Sequence, residues 1–261
     1  MPPVSYATIA ALASVGLMVS MLALMEVGRR IGRRRTSTDP DGGSAGAGAV
    51  SAAVFALLGL LVAFTFSGAA ARFDSRRQYV VEEANDVGTA WLRLDLLPEA
   101  AQPPLRALFR AYLDSRLETY RLVPDMAAVE AELGRSAALQ ADIWAQAVAG
   151  CAAKGDPGTT TLVLPALNAM FDITTTRTYA ARLHPPGVVF ALLIALALAC
   201  ALLAGFGMAA SSHPEWVHMV AFAVVMALCV YVILDFEYPR IGFIRVDDFD
   251  QVLRDVRRSM Q

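Results

Sequence analysis

Apolar and polar residues alternate along this chain in long blocks, and four apolar blocks are each long enough to cross a bilayer. They run from Val4 to Met25, Ala47 to Ala71, Gly187 to Ala210 and Trp216 to Leu234, and none contains Lys, Arg, Asp or Glu. A hydrocarbon core of about 30 Å needs about 20 such residues in a helix. The second block has no turn at its end. It becomes charged at Arg72 and continues without proline to Pro98, which predicts one helix with its first half in lipid and its second half in water or against a helical partner. A helix over this whole stretch would be about 75 Å long at 1.5 Å per residue. Beyond Phe73 the positions Val80, Ala84, Val87, Trp91 and Leu94 step by four and three residues, the seam of a helical bundle.

The expected organisation is an all-α membrane protein with four transmembrane helices and a helical extramembrane bundle inserted between the second and third. The first span covers 4–28 and leads into an Arg-rich polar loop over 29–46, built from GRRIGRRR and the Gly-rich TSTDPDGGSAGAG. The second span covers 47–71. The extramembrane domain covers 72–186: a proline break at Pro98, then helices opened by Pro103-Pro104 and by Pro124, and a last helix from about Thr161 to Arg182 after the turn Gly155-Asp156-Pro157-Gly158. The third and fourth spans cover 187–210 and 216–235 and form a hairpin, because only Ser211 to Glu215 joins them. An amphipathic tail over 236–261 has the pattern of a short helix through Phe249, Val252, Leu253 and Val256.

Composition supports the membrane class, with 56% hydrophobic residues and a mean hydropathy of +0.49. The first span lacks a positive leader and a small-x-small cleavage site, so it is expected to stay as an anchor rather than to be removed as a signal peptide. A net charge of −2 argues against nucleic acid as a partner. Cys200 and Cys229 lie in apolar spans and Cys151 is alone in the polar part, so no disulfide framework or zinc site is expected. The basic residues are all Arg except Lys154, which with the abundant Ala suggests a bacterial coding bias, and the expected location is the bacterial inner membrane. Four spans put both termini and the helical domain on one side. Arginines 29, 30, 33, 34 and 35 in the first connection point to a cytoplasmic location there, hence to a periplasmic domain, although Arg72, Arg76, Arg77, Arg177, Arg182, Arg240 and Arg245 flank the spans on the other side.

Candidate chemistry is sparse. Small residues recur at every fourth position of the second span (Gly59, Ala63, Ser67, Ala71) and of the third (Ala197, Ala201, Gly205, Ala209). Such stripes let helices approach closely in lipid, either within one subunit or at an oligomer seam. Phe64, Thr65, Phe66 and Ser67 form a patch that could serve as a dewetting constriction with nearby hydroxyls. The plainer reading is lipid-facing or packed aromatics, with the hydroxyls bonded to the preceding turn. Glu82, Glu83, Asn85 and Asp86 make a polar cluster that could bind a cation, or that forms inter-helix ion pairs and caps. Asp172, Thr175, Thr176 and Arg177 make another. The acidic run Asp247, Asp248 and Asp250 lacks a calcium-loop pattern, and His184, His213 and His218 lack metal-ligand spacing. No nucleophile, phosphate-loop or dinucleotide motif occurs, so neither an enzyme nor a cofactor or metal site is expected. The absence of Asp, Glu and Lys from the four apolar blocks also argues against an ion-coupled pump or carrier.

Three blocks of residues carry a family resemblance. The run AFTFSGAAARFDSRRQYVVEEANDVGTAWLRLDLLP (Ala63 to Pro98) resembles the signature of bacterial bestrophin-like domain membrane proteins, a family of unknown function. LPALNAMFDITTTR (Leu164 to Arg177) and DFEYPRIGFIRV (Asp235 to Val246) are similar to its other two blocks. More remotely, the layout resembles that of bestrophins, pentameric four-span anion channels with a helical soluble region between the second and third spans. That resemblance implies a pore lined by the second span, with Phe64 and Phe66 as gate residues. Two features depart from it: bestrophins keep the soluble region cytoplasmic, and their calcium clasp has no counterpart here. The expectation is a homo-oligomeric, bilayer-embedded channel, with a non-conducting scaffold or sensor that binds a soluble partner as the alternative.

Overall fold

The computed structural model describes residues 6–38, 44–210, 215–246 and 249–260. Among these, all regular structure is helical: α1 (Tyr6–Thr38), α2 (Ser44–Arg93), α3 (Gln102–Arg121), α4 (Met126–Lys154), α5 (Pro157–Arg182), α6 (Gly187–Gly207), α7 (Trp216–Glu237) and α8 (Asp250–Ser259). Four stretches are long and apolar enough to cross a membrane, within α1, within α2, in the run from α5 into α6, and in α7. The chain forms two compact units, Met1–Arg72 with His184–Phe243 and Phe73–Leu183 with Ile244–Gln261.

In the first unit α1 packs along α6 and α7. Leu17, Met21, Met25, Leu193, Ala197, Cys200, Ala201, Met219 and Ala223 form its core. The α1–α6 contact has almost no side-chain spacer. A Cβ added to Gly205 would lie 1.9 Å from the Met25 carbonyl oxygen, and one on Gly28 would lie 2.1 Å from that of Leu202. In lipid, such backbone proximity supplies the dispersion contact that hydrophobic burial supplies in water.

In the second unit α2, α3, α4, α5 and α8 surround Val80, Val87, Leu94, Leu105, Phe109, Tyr112, Leu113, Ile143, Leu167, Met170 and Leu253. The helix starts follow local chemistry. Asp125 accepts a hydrogen bond from the Ala128 N–H, and Asp156 accepts from those of Gly158 and Thr159. Gly155 ends α4 at φ +67°, a conformation that costs glycine nothing.

Two boundaries differ from expectation. The polar loop expected over 29–46 is helical through Thr38 and again from Ser44, and 39–43 lie outside the described residues. The reason is local: Glu26 pairs with Arg29 and Arg30 one turn on, and arginines suit both a helix interior and the negative end of its dipole. The last helix of the polar region starts at Pro157, earlier than Thr161, because Asp156 caps it and proline is accommodated in the first turn. The tail helix begins at Asp250; Asp247 and Asp248 lie outside the described residues.

Candidate functional site

The membrane half of α2 is the least covered of the spans. Only 6% of its most apolar window is buried, against 28% for α1 and 33% for α7. Leu58 and Ala69 turn inward, whereas Gly59, Leu60, Ala63, Phe64, Ser67 and Ala71 are exposed. At 100° per residue these exposed positions share one broad face. A Cβ on Gly59 would meet nothing within 4 Å.

The two small-residue stripes therefore have different fates. Ala197, Ala201 and Gly205 are buried within the first unit, where α6 meets α1. Gly59, Ala63 and Ala71 have no such cover. The aromatic patch also divides. Phe64 is 67% exposed, whereas Phe66, still 43% exposed, meets Phe236 of α7 edge-on with ring centroids 5.7 Å apart. Two residues apart on a helix means about 200° of rotation, so the two rings cannot face one axis. The Thr65 hydroxyl donates to the carbonyls of Leu61 and Val62 at 2.8 and 3.0 Å, and Ser67 is exposed.

At the end of α7 the first unit buries a carboxylate. Glu237 accepts from Arg72, and His184 Nδ1 lies 3.5 Å from its Oε2. The His184 ring stacks on Tyr238, which also meets Tyr6. Asp235 accepts from the Phe243 N–H at 2.8 Å. This ties the chain after α7 back onto the helix end.

The second unit holds a four-residue charge network. Arg116 Nε donates to Glu83 Oε1 at 2.6 Å, Arg177 Nη1 donates to Glu83 Oε2 at 2.5 Å, and Arg177 Nη2 donates to Asp250 at 2.8 Å. Glu83 and Arg116 are fully buried. Tyr120 lies under both guanidiniums, with its hydroxyl accepting from Arg116 Nη2 at 2.7 Å. Burial alone would push the Glu83 carboxyl up. The Arg116 and Arg177 charges outweigh it and hold that carboxyl at about 2. The network joins α2, α3, α5 and the start of α8.

Of the polar cluster, Glu83 alone enters this core. Glu82 and Asn85 stay exposed and line a shallow groove with Asp74, Arg77, Gln78, Val81 and Phe249. Asp86 is half-buried, and burial, Glu82 and Glu83 all push its carboxyl up. Glu82 and Glu83 do not form a carboxylate pair. Asp172, Thr175 and Thr176 are exposed on α5, opposite the buried Arg177. Sequence reasoning missed Arg116 and the pairing of Asp250. A signal was present: Arg116 sits on the apolar face of α3 between Leu113 and Leu117, where a charge needs a buried counter-charge.

A family model described as the Bestrophin-like domain matches residues 15–249. Comparison with curated proteins and with solved structures finds no match.

Proposed function

The chain belongs to the bestrophin-like family, and on that premise we propose that this membrane protein assembles into a passive, anion-conducting oligomeric pore lined by α2. The observation that carries this reading is the uncovered face of α2. Lipid can cover any apolar helix, but along this face Gly59, Ala63, Ser67 and Ala71 form a shallow stripe beside the bulkier Leu60 and Phe64. That stripe suits a close neighbouring helix or a narrow water-filled wall. One subunit cannot enclose such a path, so the pore requires several copies. Phe64, which flanks the small-residue face, is the gate residue in this scheme, and Phe66 holds α2 against α7. The second unit then lies outside the bilayer, with α2 continuing into it. The arginine end of α1 supports a cytoplasmic first connection, and with it a periplasmic unit in a bacterial inner membrane.

The test is halide flux from liposomes holding the purified full chain, with its oligomeric state measured in detergent. Flux from an oligomer of three or more copies is expected, and Phe64→Ala should raise it severalfold. A monomer or dimer without flux sinks the proposal.

One observation favours the second reading, a non-conducting scaffold whose helical unit binds a protein. On α4 the residues Ala127, Ala131, Gly134, Ala138, Ala141 and Ala145 are all exposed at helical spacing, a smooth face on which another helix would fit.

A further inference from the structure

The C-terminal helix α8 sits on the second unit by one face only. Leu253 and Met260 are fully buried and Phe249, Val252 and Val256 are half-buried, so positions three and four apart meet the core. On the other face Gln251, Arg254, Asp255 and Arg258 are exposed. The helix has 10 residues, fewer than an isolated helix needs to be stable in water, so it is helical because of the surface beneath it. That surface is built by α2, α3 and α5, and each sends an arginine to the α8 segment. From α2, the Arg77 guanidinium lies 4.2 Å from the centroid of the Phe249 ring. From α5, Arg177 Nη2 donates to Asp250 at 2.8 Å. From α3, Arg110 Nη1 donates to the Met260 carbonyl at 3.4 Å, at the negative end of the helix dipole. One turn further along α3, Asp114 accepts from Arg257 Nε and Nη2 at 2.7 and 2.9 Å. The groove therefore matches its occupant in charge, with a cation at the acidic start, a carboxylate at the basic last turn and an apolar floor between them.

Departure of α8 leaves the inner charges paired. Glu83 keeps both of its guanidiniums, Arg116 on Oε1 and Arg177 on Oε2. Arg177 exchanges Asp250 for water, and a charge that reaches water escapes the cost of burial. Loss of α8 is therefore a local event, whereas loss of α2, α3 or α5 breaks the Glu83 centre itself.

We propose that α8 is a detachable latch, seated in a helix-docking groove of α2, α3 and α5 that stays folded when α8 leaves and then accepts the α8 of a second copy. The groove recognises an amphipathic helix with an acidic first turn and a basic last turn. The latch is independent of conduction and would persist in a protein that carries no ions.

The experiment is amide hydrogen exchange of the full chain in detergent, read by mass spectrometry, with binding of a dye-labelled peptide of residues 249–260 followed by anisotropy. In the parent, the amides of α8 should exchange about tenfold or more faster than those of α3 beneath it. Leu253→Asp should abolish protection of α8 and leave that of α3 and α5 within about twofold of the parent. Arg257→Gln removes only an exposed ion pair and should speed exchange of α8 by up to about fivefold. The peptide should bind the Leu253→Asp variant about tenfold or more tightly than it binds the parent, whose groove is filled. A peptide carrying the same substitution should bind neither protein. Exchange of α8 and α3 at one rate in the parent overturns the proposal, as does loss of α3 and α5 protection in Leu253→Asp. In either case α8 is an integral part of the core. A peptide that binds both proteins equally, or neither, overturns the docking groove.

Discussion

Neutralising Glu83 is the sharpest test of what holds the second unit together. Its carboxylate is fully buried and is shared by guanidiniums from α3 and α5 at 2.6 and 2.5 Å. In Glu83→Gln the shape persists, but Arg116 and Arg177 are left with one carboxylate, Asp250, between them. Removing one partner of a buried pair costs about 3–5 kcal/mol, because the remaining charge stays desolvated. At about 4 °C per kcal/mol for a unit of this size, the melting temperature should fall by about 12–20 °C. Trp91 and Trp144 lie in this unit, so tryptophan fluorescence in a Trp216→Phe background reports its unfolding. The companion variant Glu83→Leu with Arg116→Met removes a whole pair and leaves the neutral Arg177–Asp250 pair. Apolar replacement of an intact buried pair is often close to neutral, so this double variant should be more stable than Glu83→Gln alone. The reasoning fails if Glu83→Gln melts within about 4 °C of the parent, or if the double variant is no more stable than Glu83→Gln.

Acid should act on the same group in a defined window. A carboxyl held at about 2 stabilises the fold fully above its ordinary value of 4.5 and loses that contribution as pH falls from 4.5 towards 2. Denaturant midpoints followed by the same fluorescence should therefore show no pH dependence from Glu83 between pH 7 and 5, and the drop below 4.5 should shrink in Glu83→Gln. Gly205→Ala should lower the detergent-phase melting temperature by the equivalent of about 1–3 kcal/mol, because its methyl meets the Met25 carbonyl. Gly59→Ala, whose methyl meets nothing within 4 Å in its own subunit, should leave that melting temperature unchanged and alter the oligomer seen by size-exclusion light scattering. Phe66→Ala should destabilise the first unit through loss of its contact with Phe236, with a smaller effect on flux than Phe64→Ala.

Much of the helical content was legible because it is written in one dimension. Runs free of charge fix where hydrocarbon-compatible helices lie, and prolines and aspartates mark where the others begin. The seam Val80, Ala84, Val87, Trp91 and Leu94 is buried as its spacing implies. The arginine segment after the first span was less legible, because charge density reads as loop until the Glu26 pairs and the helix dipole are counted. The side-chain roles were the least legible. Two stripes of the same small residues, on α2 and α6, differ only in what stands opposite them. Gly205 faces a carbonyl at contact distance, whereas Gly59 faces open space.

By itself, the sequence determined the all-helical class, the four membrane-compatible stretches, the unbroken passage from Ala47 beyond Arg72, and the family. These depend on composition and periodicity, which are local and additive along the chain. The tertiary structure decided which of two adjacent glutamates is buried, that Asp250 joins Arg177 across 73 positions, and that Phe66 meets Phe236. Those outcomes rest on which helix faces which. Pairing across space depends on the packing of the whole chain, and no local pattern encodes it.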